Sequence, residues 1–116
     1  MSLTINAVAG TPVRVHVAGH LDSDTALELD QSVKSVLAGN TAKVVVFDLA
    51  ELDYISSAGL RCFVRVMKAG GQPLLVNLKP SVEKVFNMVR VLPAKNLFRD
   101  NEALRRHLEN AADTSG

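Results

Sequence analysis

Lys43-Val44-Val45-Val46-Phe47-Asp48-Leu49 decides the fold. The run is apolar at odd and even positions alike, so the strand it forms must be buried on both faces. Such a strand lies at the centre of a sheet covered by helices. Pro73-Leu74-Leu75-Val76-Asn77-Leu78 reads as a second buried strand. Between the two, a helix is expected from about Ala58 to Ala69, with Leu60, Phe63, Val64 and Met67 facing inward and Gly70-Gly71 ending it.

Working toward the N-terminus, Ser23 or Asp24 is an expected N-cap for a helix reaching about Leu37. Its stripe is Ala26, Leu29, Val33, Val36 and Leu37, and Gly39-Asn40 closes it. Before it, Val13, Val15 and Val17 alternate with Arg14, His16 and Ala18, and Leu3, Ile5 and Ala7 alternate with polar residues. Ala9-Gly10-Thr11-Pro12 joins these two strands as a turn, which predicts an antiparallel hairpin at one sheet edge. Toward the C-terminus, Pro80-Ser81 opens a helix with Val82, Val85, Phe86 and Val89 at helical spacing. Val91-Leu92 is a candidate final strand, Phe98 is expected to be buried, and a last helix spans about Glu102 to Leu108. The expected architecture is α/β: a mixed four- to five-stranded sheet, antiparallel only in its first hairpin, with about four helices mainly on one face.

The 116 residues fit one domain, with a core over about 3–109 and a frayed tail over 110–116. Apolar residues make up 47% of the chain but aromatics only 4%, so the core must be aliphatic. Thirteen basic residues against twelve acidic ones give a net charge of +1, which carries no electrostatic footprint for nucleic acid. The single Cys62 rules out an intrachain disulfide and points to a reducing compartment. Met1-Ser2-Leu3-Thr4 lacks the basic and apolar regions of a signal peptide, and no apolar stretch approaches the roughly 20 residues that span a bilayer. The expectation is a cytoplasmic protein without membrane insertion.

Functional groups in such sheets collect at the carboxyl ends of strands, here Gly19 to Asp24, Asp48 to Ser57 and Asn77 to Ser81. Ser57 stands just before an apolar helical run and is an expected helix cap. The same position would tolerate a phosphate, because a helix N-terminus favours negative charge. Asp22, Asp48 and Asp53 are expected on loops around Ser57, either as turn formers or with Asp22 and Asp48 flanking the serine. A hydrolase reading fails on the nucleophile elbow: Gly59 supplies one of its glycines, but Ile55 occupies the place of the other. Of His16, His20 and His107, only His20 falls near the right rim. A receiver domain would need paired acids after its first strand. One Cys and scattered His give no metal set, and no Gly-rich phosphate loop occurs. Neither catalysis nor a cofactor or metal is expected.

Asp48-Leu49-Ala50-Glu51-Leu52-Asp53-Tyr54-Ile55-Ser56-Ser57-Ala58-Gly59-Leu60-Arg61 resembles the signature of the STAS domain, as found in bacterial anti-sigma factor antagonists. Gly19-His20-Leu21-Asp22 is similar to that family's second signature, a Gly-x-Leu-Asp turn before the first helix. The resemblance implies a non-enzymatic switch. The unphosphorylated form binds an anti-sigma factor that is itself a serine kinase and displaces the sigma factor. Phosphorylation abolishes binding, and a serine phosphatase restores it. The phosphoacceptor lies two residues before the motif glycine, which is Ser57 here. Well-known members carry Asp just before it, where this chain has Ser56, so Ser56 is the alternative acceptor. The implied partner surface comprises Asp22, Ser56, Ser57, Gly59, Arg61 and Arg65. A second implication is a stand-alone STAS subunit of a membrane transporter for lipids or anions.

Overall fold

A computed structural model describes residues 3–8, 10, 12–38 and 44–115. The chain forms β1 (Leu3–Val8), β2 (Val13–Leu21), α1 (Ala26–Leu37), β3 (Val44–Ile55), α2 (Ser57–Lys68), β4 (Gln72–Val76), α3 (Pro80–Val89), β5 (Leu97–Phe98) and α4 (Asn101–Ser115), with a 3-10 turn at Ala94–Asn96. The five strands lie side by side in chain order. Only the β1–β2 pair is antiparallel. This is the mixed sheet that the alternation of elements predicts.

Strand order explains where the helices go. Every crossover from β2 onward steps one strand in the same direction, and crossovers of one hand then place their helices on one face. One large core accordingly joins Val13, Val15 and Val17 of β2 and Val45, Phe47 and Leu49 of β3 to Leu29 and Val33 of α1, Leu60 and Phe63 of α2, and Val82 and Phe86 of α3. Among the described residues only α4 covers the other face, where Leu104 packs on Val46, Leu74 and Val76. Burial on both sides of β3 and β4 is what their unbroken apolar runs require.

Several boundaries differ from expectation. The central strand continues to Ile55 instead of stopping at Leu49. It pairs with β2 as far as Leu21↔Ile55, with register shifts between His16 and Ala18 and between Gly19 and His20. Such irregularities insert residues into the ladder. Leu49, Leu52 and Ile55 therefore all reach the core although they are spaced by three. The final strand is Leu97–Phe98, not Val91-Leu92. Arg90 adopts a left-handed conformation, φ 56°, that ends α3, and Val91 and Leu92 pack into the core as a connector. Phe98 is half-buried. In α2 Cys62 and Val66 are buried against α1, whereas Met67 is exposed; Val89 of α3 is exposed as well. The last helix runs to Ser115, well past Leu108 and through most of the expected frayed tail. The expected cap at Gly39-Asn40, the start of β3 at Lys43 and the turn residues Ala9 and Thr11 lie outside the described residues.

Candidate partner-binding site

The site is built where β2 and β3 end side by side. After Leu21 the chain makes a tight turn through Asp22–Thr25. The Asp22 amide donates to Thr25 Oγ1 at 2.9 Å, and the Thr25 amide donates back to Asp22 Oδ1 at 3.1 Å. The Asp24 amide also donates to Asp22 Oδ1, at 2.9 Å, and the Thr25 hydroxyl donates to the His20 carbonyl at 2.8 Å. These amides hold the Asp22 carboxyl below its ordinary pKa, the Thr25 N–H foremost. The expected caps Ser23 and Asp24 are not used. Thr25 stands at the N-cap, and its side chain is turned back into the reciprocal exchange with Asp22.

α2 starts one residue earlier than expected, and this changes the role of each serine. Ser56, in an extended conformation, is the N-cap: its Oγ accepts from the Gly59 amide at 3.3 Å. Ser57, expected to be the cap, is instead the first helical residue. It is exposed, and its hydroxyl has no hydrogen-bond partner among the described residues.

Two contacts join the Asp22 turn to this helix start. The Ser56 amide donates to the Leu21 carbonyl at 2.9 Å. Gly59 lies so close beneath that a Cβ there would meet Leu21 Cγ at 2.8 Å, the Leu21 carbonyl oxygen at 2.9 Å and Ile55 Cγ1 at 3.0 Å. Asp22, Ser56, Ser57 and Gly59 are therefore assembled as one unit. Arg61 is exposed one turn further along α2, without a partner among the described residues. Arg65 follows on the next turn, but its Nη1 donates to Asp30 Oδ2 of α1 at 2.5 Å.

The other two aspartates are elsewhere. Asp48 sits in mid-strand, where its Oδ1 accepts from Asn77 Nδ2 at 3.3 Å and its Oδ2 lies 3.8 Å from His16 Nδ1. Seven residues of strand, roughly 20 Å, separate it from Ile55, so it does not flank Ser57. Asp53 is also within β3, ion-paired with Lys79, whose ammonium holds its carboxyl low. No histidine among the described residues hydrogen-bonds to Ser57; the His20 ring faces Tyr54 instead, 6.2 Å between centroids.

Sequence reasoning passed over Thr25 and the Leu21 carbonyl. Thr just before an apolar helix is an ordinary cap residue, and an Asp in a turn accepts nearby backbone N–H groups; those were the signals available for this exchange. A carbonyl has no signature, although a glycine two residues inside a helix points to a close approach.

Cys62 lies beneath the site and takes no part in it. Its Sγ rests 3.4 Å from the Ala26 carbonyl, and burial pushes the thiol up to about 12. Little thiolate forms at neutral pH. Titration with a thiol reagent is expected to be negligible in the native protein and complete in denaturant; rapid native labelling would show that α1 and α2 separate readily.

The sequence profile of the STAS domain family matches residues 4–111. The chain belongs to the STAS domain family. It is 33% identical over 103 residues to the candidate anti-sigma factor antagonist BtrV of Bordetella bronchiseptica, covering 83% of this chain and 87% of that protein. An anti-sigma factor antagonist from Mycobacterium paratuberculosis has the same fold at a TM-score of 0.77 and 22% identity, over 90% of this chain and 93% of that one. So does the anti-sigma factor antagonist SpoIIAA in its unphosphorylated form, at a TM-score of 0.73 and 17% identity, over 94% of this STAS domain and 97% of that chain. The last two likenesses establish the fold. Within this STAS domain no helix among the described residues is long and apolar enough to cross a membrane.

Proposed function

We propose that this STAS domain is an anti-sigma factor antagonist switched at Ser57. Unphosphorylated, it binds a serine kinase-type anti-sigma factor in the cytoplasm and frees the sigma factor. Phosphorylated at Ser57, it does not bind, and a serine phosphatase returns it to the binding form. It acts by association, not catalysis. The observation that carries this reading is the exposed Ser57 hydroxyl, left free at the start of α2 while Ser56 serves as the cap. That division of labour favours Ser57 over Ser56 as acceptor. The likeness to BtrV and to SpoIIAA, whose structure is described by its phosphorylation state, supports the reading.

The physical effect of the modification follows from its place. A phosphate adds about 1.5 to 2 negative charges. α2 has no acidic residue in its first turn, and its N-terminus favours an anion, so the domain stays folded. The penalty falls on the complex. Desolvating a phosphate in an interface without a paired cation costs several kcal/mol. Each 1.4 kcal/mol is about a factor of ten, so affinity falls by more than about a hundredfold.

The test is binding of the wild type, Ser57→Ala and Ser57→Asp to serine kinase-type anti-sigma factors with ADP present, together with phosphopeptide mapping. The first two are expected to bind and Ser57→Asp to fail, with phosphate found on Ser57 alone. Phosphate on Ser56, or full-rate labelling of Ser57→Ala, would remove Ser57 from its role. Failure of all three to bind any such kinase would move the reading to a transporter subunit.

A further inference from the structure

The sheet has two edges, and they are treated differently. β5 is two residues long and offers almost nothing to pair with. β1 is six residues long and pairs with β2 in unbroken register. Along its outer side every second residue directs an N–H and a C=O away from the sheet. Proteins blunt such edges with a charge, a proline or a bulge. Leu3-Thr4-Ile5-Asn6-Ala7-Val8 contains none of these.

The flank of this edge is equally undefended. Leu3, Ile5 and Ala7 are only half-buried and line a groove of about 590 Å³ between β1 and α1, with Val36 at its side. The α1 residues facing it include Gln31 and Ser35, and among the described residues Glu28 is the one charged residue lining it. An unpaired strand edge is self-complementary in antiparallel sense. A two-fold axis normal to the sheet places β1 against a second β1 and, on the same face, groove against groove. With a net charge of +1, two copies meet little electrostatic repulsion.

We propose that β1 is a homodimer interface, through which two copies form one continuous ten-stranded sheet. Ile5 or Asn6 sits at the axis, since only registers centred on a residue keep like faces together. The four apolar groove residues of each copy cover those of the other. Neither the Asp22 turn nor Ser57 belongs to β1 or lines this groove. Each dimer therefore carries two free switch sites, and the inference stands whatever those sites bind.

Sedimentation equilibrium of the whole chain, from about 1 µM to about 500 µM, tests it. The mass of the wild type is expected to rise from 12.5 kDa toward twice that value. Thr4→Lys combined with Asn6→Lys changes two exposed side chains and puts lysine opposite lysine in either register. It is expected to keep the wild-type circular dichroism and stay monomeric throughout. A wild type monomeric at every concentration overturns the proposal, and so does a folded double variant that dimerises as well as the wild type. If the double variant loses its fold, hydrogen exchange of the wild type decides. Alternate β1 amides gain protection with concentration if the proposal holds, and exchange at one rate at all concentrations if it does not. Protection that appears only when another protein is added also overturns it, because the occupant is then not a second copy.

Discussion

Phe63→Ala is expected to destabilise the domain by about 3–5 kcal/mol, the range for removing a buried phenyl ring from a tight core. Phe63 is fully buried at the middle of α2. Its ring meets Phe47 of β3 edge-on at 4.9 Å and 88°, and Phe86 of α3 at 5.5 Å and 60°. Three of the chain's four phenylalanines are thus one cluster joining the central strand to two helices. The rest of this core cluster is aliphatic apart from Cys62, drawn mostly from the sheet and from α1, α2 and α3, and no other aromatic ring belongs to it among the described residues. Aromatic pairs of this geometry add about 0.5–1.5 kcal/mol each beyond burial, and the substitution removes two of them. A loss of this size is a fifth or more of a typical domain's stability, about 5–15 kcal/mol. Urea denaturation monitored by circular dichroism measures it. Phe98→Ala is the contrast: that ring is half-buried on the other face, 5.1 Å from His107, and its loss should cost much less. Equal effects would mean that the two faces of the sheet contribute alike and that the aromatic cluster has no special weight.

How far the fold was legible follows from which signals are local. Val44–Phe47 and Leu74–Val76 announce buried strands because burial on both faces leaves no polar alternation to hide them. The second half of β3 was hidden for a stated reason: Leu49, Leu52 and Ile55 point to the core at a spacing of three, which no regular strand has. Only the pairing with β2 and its register shifts make that spacing a strand. β5 was misplaced because a two-residue strand is defined by its neighbour, β4, and not by its own residues. Val91-Leu92 had the better strand composition, but the left-handed turn at Arg90 carries them elsewhere.

The site was legible as a neighbourhood and misread by one residue within it. Motif spacing singled out Asp22, Ser57 and Gly59, and in the structure the turn after Leu21 lies against the start of α2 through the Ser56 amide and Gly59. Spacing could not decide which of two adjacent serines caps α2, because both have the chemistry and only the extended conformation of Ser56 selects it. The same limit applied to Asp48. Its sequence distance from Ser57 suggested a loop, but the chain from Asp48 to Ile55 is strand and holds it roughly 20 Å from the rim.

Gly59→Val is the substitution that separates the site from the fold. Even one added carbon at this position would sit 2.9 Å from the Leu21 carbonyl oxygen, and backbone cannot rotate out of the way as a side chain can. The start of α2 must lift from the end of β2, and the bond that suffers first is Ser56 N–H to the Leu21 carbonyl, 2.9 Å in the native domain. Overpacking of this kind costs about 1–3 kcal/mol. A branched residue also loses side-chain freedom in a helix, so replacing glycine brings only a small gain in helix propensity to offset it. The domain should remain folded, with Phe63 and the rest of the α2 core in place. The Asp22 turn and Ser57, however, should no longer be held in one arrangement. Hydrogen exchange should accelerate selectively at the Ser56 amide, and affinity for the partner should fall by more than the stability loss alone accounts for. Phe63→Ala should behave in the opposite way, losing stability throughout but keeping the affinity of whatever fraction stays folded. Should Gly59→Val leave both the Ser56 amide and partner affinity untouched, the close approach of α2 to Leu21 would be packing alone, and the two halves of the site would not need to be joined.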